Sequence, residues 1–211
     1  MSAPVDETDQ SPREEPKRRS FLSELPFLLL AALVVAVLIK TFLIQPFYIP
    51  SGSMIPTLLV DDRVLVSKVS YLWSDPERGD VIVFENPYAP ELDESFPESV
   101  VRVTLEALGI RTSASDDLIK RVIGLGGETI EIVGGQLLID GVPLDEPYLQ
   151  VGSAMGNFGP RALAPDELFM MGDNRNESSD GRVFGPIPAD DVIGKAVLRI
   201  WPLSRIGTID G

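Results

Sequence analysis

The sequence predicts a mainly β domain, an antiparallel and barrel-like sheet, preceded by one N-terminal transmembrane helix. Three observations predict it. A single long apolar run lies near the N-terminus, and residues 25–39 carry no charge. Beyond it, short stretches rich in β-branched residues are separated by Gly, Pro and Asp turn signals. Only one short stretch beyond the run, around Val100–Leu108, carries helical spacing, with Val101, Leu105 and Leu108 on one face.

The elements follow in order. Residues 1–20 hold five acidic and four basic residues and almost nothing apolar, which predicts a disordered tail. Residues 21–44 read as the anchor. From Leu25 to Ile44 the run is 20 residues long, about 30 Å as helix, enough to cross a bilayer. Lys40 sits where it can snorkel to the far interface. The run has no polar face, which argues against a buried helix of a soluble domain. Gln45–Pro50 is bulky and lacks the small-x-small pattern of a cleaved secretory signal, so the span is read as retained. Lys17, Arg18 and Arg19 place the tail in the cytoplasm and residues 45–211 on the outer side of the plasma membrane.

Strands are predicted at Arg63–Val69, Asp80–Phe84, Leu118–Leu125, Glu128–Val133, Gln136–Ile139, Leu168–Met171 and Val192–Trp201. Gly134-Gly135 marks a tight hairpin. Residues 86–117 read as irregular and acidic, and residues 150–166 as loop.

Composition narrows the chemistry. The chain has no histidine and no cysteine. That excludes a Ser-His-Asp triad, thiolate catalysis, disulfides and cysteine- or histidine-based metal sites. No acidic loop has calcium-site spacing, so no metal and no cofactor are expected. The net charge of −14 lies almost entirely beyond residue 44 and disfavours nucleic acid as a partner.

Three segments carry candidate chemistry. Pro50-Ser51-Gly52-Ser53-Met54-Ile-Pro56-Thr57-Leu58 is a serine-rich turn between prolines, directly after the span. Alone it also reads as a polar exit loop. A serine nucleophile without histidine needs a lysine base, and beyond the span only Lys68, Lys120 and Lys195 remain. In Leu118-Ile-Lys-Arg-Val-Ile123 alternation puts Leu118, Lys120 and Val122 on one apolar face. Lys68 and Lys195 also lie on predicted strands, so periodicity leaves the three open. The third segment is Gly172-Asp-Asn-Arg-Asn-Glu-Ser178-Ser-Asp180-Gly-Arg182, a dense polar cluster after an apolar strand, which alone reads as a surface turn.

Together, in this order and behind this anchor, the three segments resemble type I signal peptidases, the Ser-Lys dyad serine proteases. Pro50–Leu58 fits that family's serine box throughout. Lys120–Glu128 fits its lysine box with two changes, Gly126 for Pro and Glu128 for Asp. Gly172–Arg182 fits its last box with three, Asn176, Glu177 and Gly181. Leu118 stands where many relatives carry an aromatic residue. These departures are expected to loosen the turns that hold the site.

The resemblance implies a β catalytic core with a smaller inserted β lobe, here residues 127–165. It implies that Ser53 is the nucleophile and Lys120 the general base, and that Ser178 hydrogen-bonds and orients the Lys120 amine. Ser51 and the Ser53 N–H would form the oxyanion hole. Met54 would pack near the site, Asp180 would pair with Arg182, and Asp173 and Arg175 would support the loop. The implied partners are signal peptides of exported pre-proteins, cut after small residues, and the lipid bilayer. Two other readings are a specialised relative serving one secretion or pilus system, and a catalytically silent tethered β domain. Retention of Ser53, Lys120 and Ser178 argues against the last.

Overall fold

The computed structural model describes residues 21–88 and 117–209, with side chains left aside at residues 21–24 and 37–42. The predicted tail 1–20 and the helix expected around Val100–Leu108 lie outside the described residues. The chain divides into a unit ending at Ala36 and a unit running from Val37 to the C-terminus.

The first unit is helical. Helix α1 spans Phe21–Phe42, with Pro26 inside it, and its side chains from Leu25 to Ala36 are exposed. Among the described residues, no helix is long and apolar enough to cross a membrane. The described side chains of α1 cover only Leu25–Ala36 of its length.

The second unit is built on antiparallel sheet. Its strands are β1 (Ile44–Tyr48), β2 (Arg63–Ser67), β3 (Val81–Glu85), β4 (Asp117–Gly124), β5 (Thr129–Val133), β6 (Gln136–Ile139), β7 (Val142–Pro143), β8 (Phe158–Ala162), β9 (Glu167–Met171), β10 (Ile187–Pro188), β11 (Val192–Trp201) and β12 (Gly207–Thr208). The larger sheet runs β1-β2-β11-β3-β4-β9-β10, with β12 added on β11. Every pairing in it is antiparallel. Its path runs from β1 to β10 without closing, a half-barrel form of the antiparallel, barrel-like sheet that the sequence predicts. The smaller sheet, β7-β6-β5-β8, is inserted between β4 and β9.

Apolar residues cover both faces of the central strands, which explains the uninterrupted run Val81-Ile-Val-Phe84. Val81 and Val83 join Met54, Leu58, Val64, Val66 and Ala196 in one core. Ile82 and Phe84 join Val122, Leu168, Met170 and Ile187 on the opposite side. A third core, with Ile123, Ile130, Ile132, Leu137, Phe169 and Met171, ties the small sheet to β4 and β9.

Two expectations are corrected. Residues 150–166 are not all loop, because β8 pairs with β5 through Thr129↔Ala162 and Ile130↔Arg161. The first strand is not Arg63–Val69 and the residues before it are not all anchor: β1 pairs with β2 along Ile44–Tyr48. Both strands contain a proline, which removes a donor and breaks the strand signature. Both lie at a sheet edge, where a missing donor is tolerated.

Candidate active site

The serine turn is held from below by its apolar residues. Met54 and Leu58 are fully buried. Ile55 N donates to Gly52 O at 3.2 Å and Leu58 N to Met54 O at 2.9 Å, which closes the turn. The chain then returns beside its own start, with Ile49 N on Asp62 O and Asp61 N on Ile49 O, each at 3.0 Å. Arg199 Nη1 donates to Thr57 O at 2.9 Å. Asp62 caps Leu59 N at 2.8 Å and takes Arg205 at 2.9 Å.

The loop after β9 grips the turn from above. Asn174 N donates to Ser53 O at 3.0 Å, and Asn174 Nδ2 donates to Gly52 O at 3.0 Å. One residue thus fixes two successive carbonyls at the candidate nucleophile. Thr57 Oγ1 donates to Asp173 Oδ2. Gly172 leaves no room for a side chain: a Cβ there would lie 2.3 Å from Ser178 Oγ and 2.5 Å from Ser53 O.

Lys120 lies in β4 opposite Ile82 of β3 and is 3% exposed. Its Nζ donates to Ser53 Oγ at 2.9 Å and to Ile119 O at 3.1 Å. Burial lowers its pKa from the ordinary lysine value to about 8, while the charge of Asp180 pulls the other way. Of the three lysines the sequence left open, Lys120 therefore meets the serine. Lys195 instead pairs with Asp80, and Lys68 lies just past β2, its amide bonded to Leu43 O. Ser51 Oγ donates to Ser53 Oγ at 3.4 Å, and Met54 packs directly behind the serine.

Ser178 departs from expectation. The Lys120 amine is turned toward Ser53 and the Ile119 carbonyl. Ser178 Oγ is buried without a hydrogen-bond partner, packed against Gly172. An orphaned buried hydroxyl costs about 1–3 kcal/mol, so it calls for an explanation. Asp180 takes Arg182 Nε and Nη2 at 2.8 Å each and Gly172 N at 3.0 Å. Burial alone would raise the Asp180 pKa, but the Arg182 bond, the Gly172 N–H and the Arg182 charge together hold it below the usual carboxylate value.

Sequence reasoning missed the supports around this pair. Arg121, beside Lys120, is almost fully buried and takes Asp173 with two bonds of 2.8 Å. It also donates to Gly79 O at 2.7 Å and lies 4.0 Å from the centroid of the Tyr148 ring. Its signal was a second cation in an otherwise apolar strand, since a buried cation needs an anion. Asn174 gave no comparable signal, because its role depends on the fold bringing two distant loops together.

Four of the five departures from the box patterns are held by close packing or hydrogen bonds. Glu128 accepts Leu125 N at 2.7 Å and pairs with Arg78, so it staples its own turn. A Cβ at Gly126 would meet Pro165 O at 2.0 Å, so proline has no room there. A Cβ at Gly181 would meet Met170 O at 2.8 Å. Asn176 Oδ1 accepts Ala154 N at 3.1 Å. Among the described residues, no group of three or more acidic side chains gathers to hold a metal ion.

Comparison with known proteins gives consistent relatives. The family model described as "Signal peptidase, peptidase S26" matches residues 22–201. "Signal peptidase I" of Leptolyngbya laminosa is 39% identical over 205 residues, covering 95% of this chain and 90% of that one. "Probable signal peptidase I-1" of Synechocystis is 40% identical, covering 92% and 90%. A crystal structure of a signal peptidase I from Enterococcus faecalis is 26% identical, covering 58% of this chain and 97% of that one, with a TM-score of 0.41.

Proposed function

This chain belongs to the signal peptidase family, peptidase S26, and from that premise we propose that it removes signal peptides from exported pre-proteins with a Ser53-Lys120 dyad. It is a hydrolase of the signal peptidase I kind, a serine endopeptidase. The observation that carries the dyad is the 2.9 Å contact between Ser53 Oγ and a buried Lys120 amine in a chain without histidine.

The chemistry follows from that contact. Neutral Lys120 takes the Ser53 proton as Oγ attacks the scissile carbonyl carbon. The tetrahedral oxyanion is met by the Ser53 N–H and the Ser51 hydroxyl. The ammonium gives its proton to the leaving amine, the signal peptide is left as an ester on Ser53, and water then hydrolyses the ester with Lys120 again as base. The ammonium has one N–H more than the neutral amine, and Ser178 Oγ is the unpartnered acceptor at this site. Its lack of a partner in the resting enzyme fits a bond made as the proton arrives.

Substrate enters a cleft lined by Phe47, Tyr48, Ile49, Pro50, Val83, Leu118 and Ile119. Strand β1 pairs only with β2, and β4 pairs with β9 only from Arg121 onward. Two strand edges therefore face this cleft: Pro46 interrupts the β1 edge, while the β4 edge is unbroken over residues 118–120 and suits an extended peptide, whose backbone it can pair. The cleft is small and mostly apolar, which favours small residues next to the cut.

The same reading makes α1 the anchor. Its 22 residues span about 33 Å as helix. Lys17-Arg18-Arg19 precede it, so the tail lies in the cytoplasm and the peptidase on the outer face. Leu43 and Ile44, directly after the helix, and Leu72 and Trp73, on the segment after β2, are exposed apolar residues suited to the lipid interface.

The test is cleavage of a pre-protein by the purified chain, with Ser53→Ala and Lys120→Ala alongside. Both variants are expected to be inactive and folded. Full activity in either ends the dyad proposal.

A further inference from the structure

One segment of the small-sheet insertion reaches the catalytic loop. After β7 the chain runs through residues 144–157 before β8, and it meets both buried arginines on the way. Glu146 takes Arg175 with both carboxylate oxygens, Nη1 to Oε2 at 2.9 Å and Nη2 to Oε1. Tyr148 donates its hydroxyl to Glu146 Oε1 at 2.8 Å, and its ring stacks on Arg121. Met155 Sδ accepts Arg175 Nη1 at 3.1 Å. The Arg175 and Glu146 side chains are only 0% and 7% exposed.

The remaining nitrogen of Arg175 points into the site. Nε donates to Gly172 O at 3.0 Å. Gly172 packs so closely on Ser53 O and Ser178 Oγ that a single added carbon clashes with both. The chain of contacts thus runs from Glu146 through Arg175 and Gly172 to the serine turn. An apolar pair of similar volume would stabilise this junction about as well as a buried ion pair does. What a two-pronged carboxylate–guanidinium pair adds is a fixed position for the third nitrogen.

We infer that Glu146, a residue of the inserted lobe, is a positioning residue for the cleavage reaction. By holding Arg175 it fixes the Gly172 carbonyl, and with it the packing of Gly172 against Ser53 and Ser178. The inference rests on the reading of Ser53 and Lys120 as nucleophile and base. The insertion is then part of the catalytic apparatus, not an appendage to it. Lys120 is faced by Ser53, the Ile119 carbonyl and the charge of Asp180. Loosening Gly172 admits water beside its amine.

The experiment uses the full chain in detergent with lipid, and a pre-protein substrate. The variants are Glu146→Gln, Glu146→Ala, Arg175→Met and Glu146→Gln/Arg175→Met. Active sites are counted with a serine-reactive lactam, and unfolding temperature is followed in parallel. Expected for Glu146→Gln is a kcat per active site lower by about tenfold with KM little changed, as small displacements of reacting groups produce. The lower limb of the kcat/KM–pH profile is expected to move to higher pH by about half a unit, as water reaches the amine. The double variant is expected to be no worse than Arg175→Met alone, because Glu146 acts through Arg175.

A lowered unfolding temperature with unchanged kcat per active site and an unchanged pH profile would overturn the inference and leave Glu146 a structural brace. Should Glu146→Ala not fold, Glu146→Gln decides, since it keeps the side-chain shape and the acceptor for Tyr148. Full activity in Ser53→Ala or Lys120→Ala, run alongside, sinks the dyad reading itself and is told apart from a failure at Glu146.

Discussion

Lys120 Nζ stands 2.9 Å from Ser53 Oγ, held there by a strand register that puts Lys120 opposite Ile82. With its pKa lowered by burial to about 8, a fraction of this amine is already neutral at physiological pH. In the proposed mechanism, cleavage requires that neutral form. The kcat/KM for a pre-protein is expected to rise with pH along a single limb with a midpoint near 8 and to level off above it. Lys120→Arg keeps the charge but cannot lose its proton, and is expected to be inactive. A flat profile between pH 6 and 9 would remove Lys120 from the mechanism.

The same burial that makes Lys120 a base costs stability. The folded-state value of about 8 lies below the ordinary 10.5. Between those values the unfolded chain binds more protons than the folded one, so stability rises with pH across that window. Below pH 8 the full penalty is present, about 3 kcal/mol. Lys120→Met is therefore expected to be more stable than the parent at pH 7, by about 1–3 kcal/mol, with the gap closing above pH 10. Denaturant unfolding at the two pH values measures it.

Gly172 offers the sharpest steric test. Alanine there would place a carbon 2.5 Å from the Ser53 carbonyl oxygen, which is backbone and moves only with the proposed nucleophile. Gly172→Ala is expected to fold and to lose at least about 10²-fold in kcat. Adding Ser178→Gly relieves only the clash with the hydroxyl, so the double variant is expected to stay impaired. Recovery of parental kcat in the double variant would show that the Ser53 contact is slack.

Asn174 makes two bonds to consecutive carbonyls of the serine turn, one from its backbone and one from its side chain. Asn174→Ala removes only the second, and a loss of about tenfold in kcat is expected, with unfolding temperature nearly unchanged. Asn174→Asp sets a carboxylate against the Gly52 carbonyl and is expected to be worse than alanine. The order of the two variants in kcat is the measurement.

The lipid interface can be tested at Trp73, which is 83% exposed. Lys68 N bonds Leu43 O at 2.9 Å, so the segment leading to Leu72 and Trp73 starts beside the helix exit. A fragment beginning near residue 45 is expected to cleave short peptides slowly and to need detergent or lipid for whole pre-proteins. Trp73→Ser in that fragment is expected to weaken binding to vesicles of phosphatidylethanolamine and phosphatidylglycerol. Equal binding by both, with equal cleavage in plain buffer, would reduce the exit region to a tether.

The central strands were legible because they obey simple rules. Val81–Phe84 and Leu168–Met171 are unbroken apolar runs, and Gly134-Gly135 announces the β5–β6 hairpin. Strands β1 and β8 escaped because Pro46 and Pro160 interrupt their pattern, and only the fold shows that both lie at edges. The serine, lysine and polar loop were legible as residue types in order. Which lysine meets the serine was not legible from alternation, which fits Lys68, Lys120 and Lys195 alike; only the family resemblance pointed to Lys120. Glu146 and Asn174 were invisible for a different reason: each matters through partners some 30 and 120 residues away in the chain.

The strands that end the two sheet paths each carry a proline, Pro46 in β1, Pro188 in β10, Pro143 in β7 and Pro160 in β8, while the two-residue β12 sits off the path on β11. A proline offers no N–H, so a foreign strand arriving at any of these borders meets a break in the ladder. An enzyme that must hold an extended peptide faces a conflict, since whatever invites the peptide also invites another copy of the enzyme. Here these four borders are interrupted by proline, while residues 118–120 of β4 keep a continuous free edge beside the cleft. The molecule can then welcome a strand without becoming the seed of a fibre.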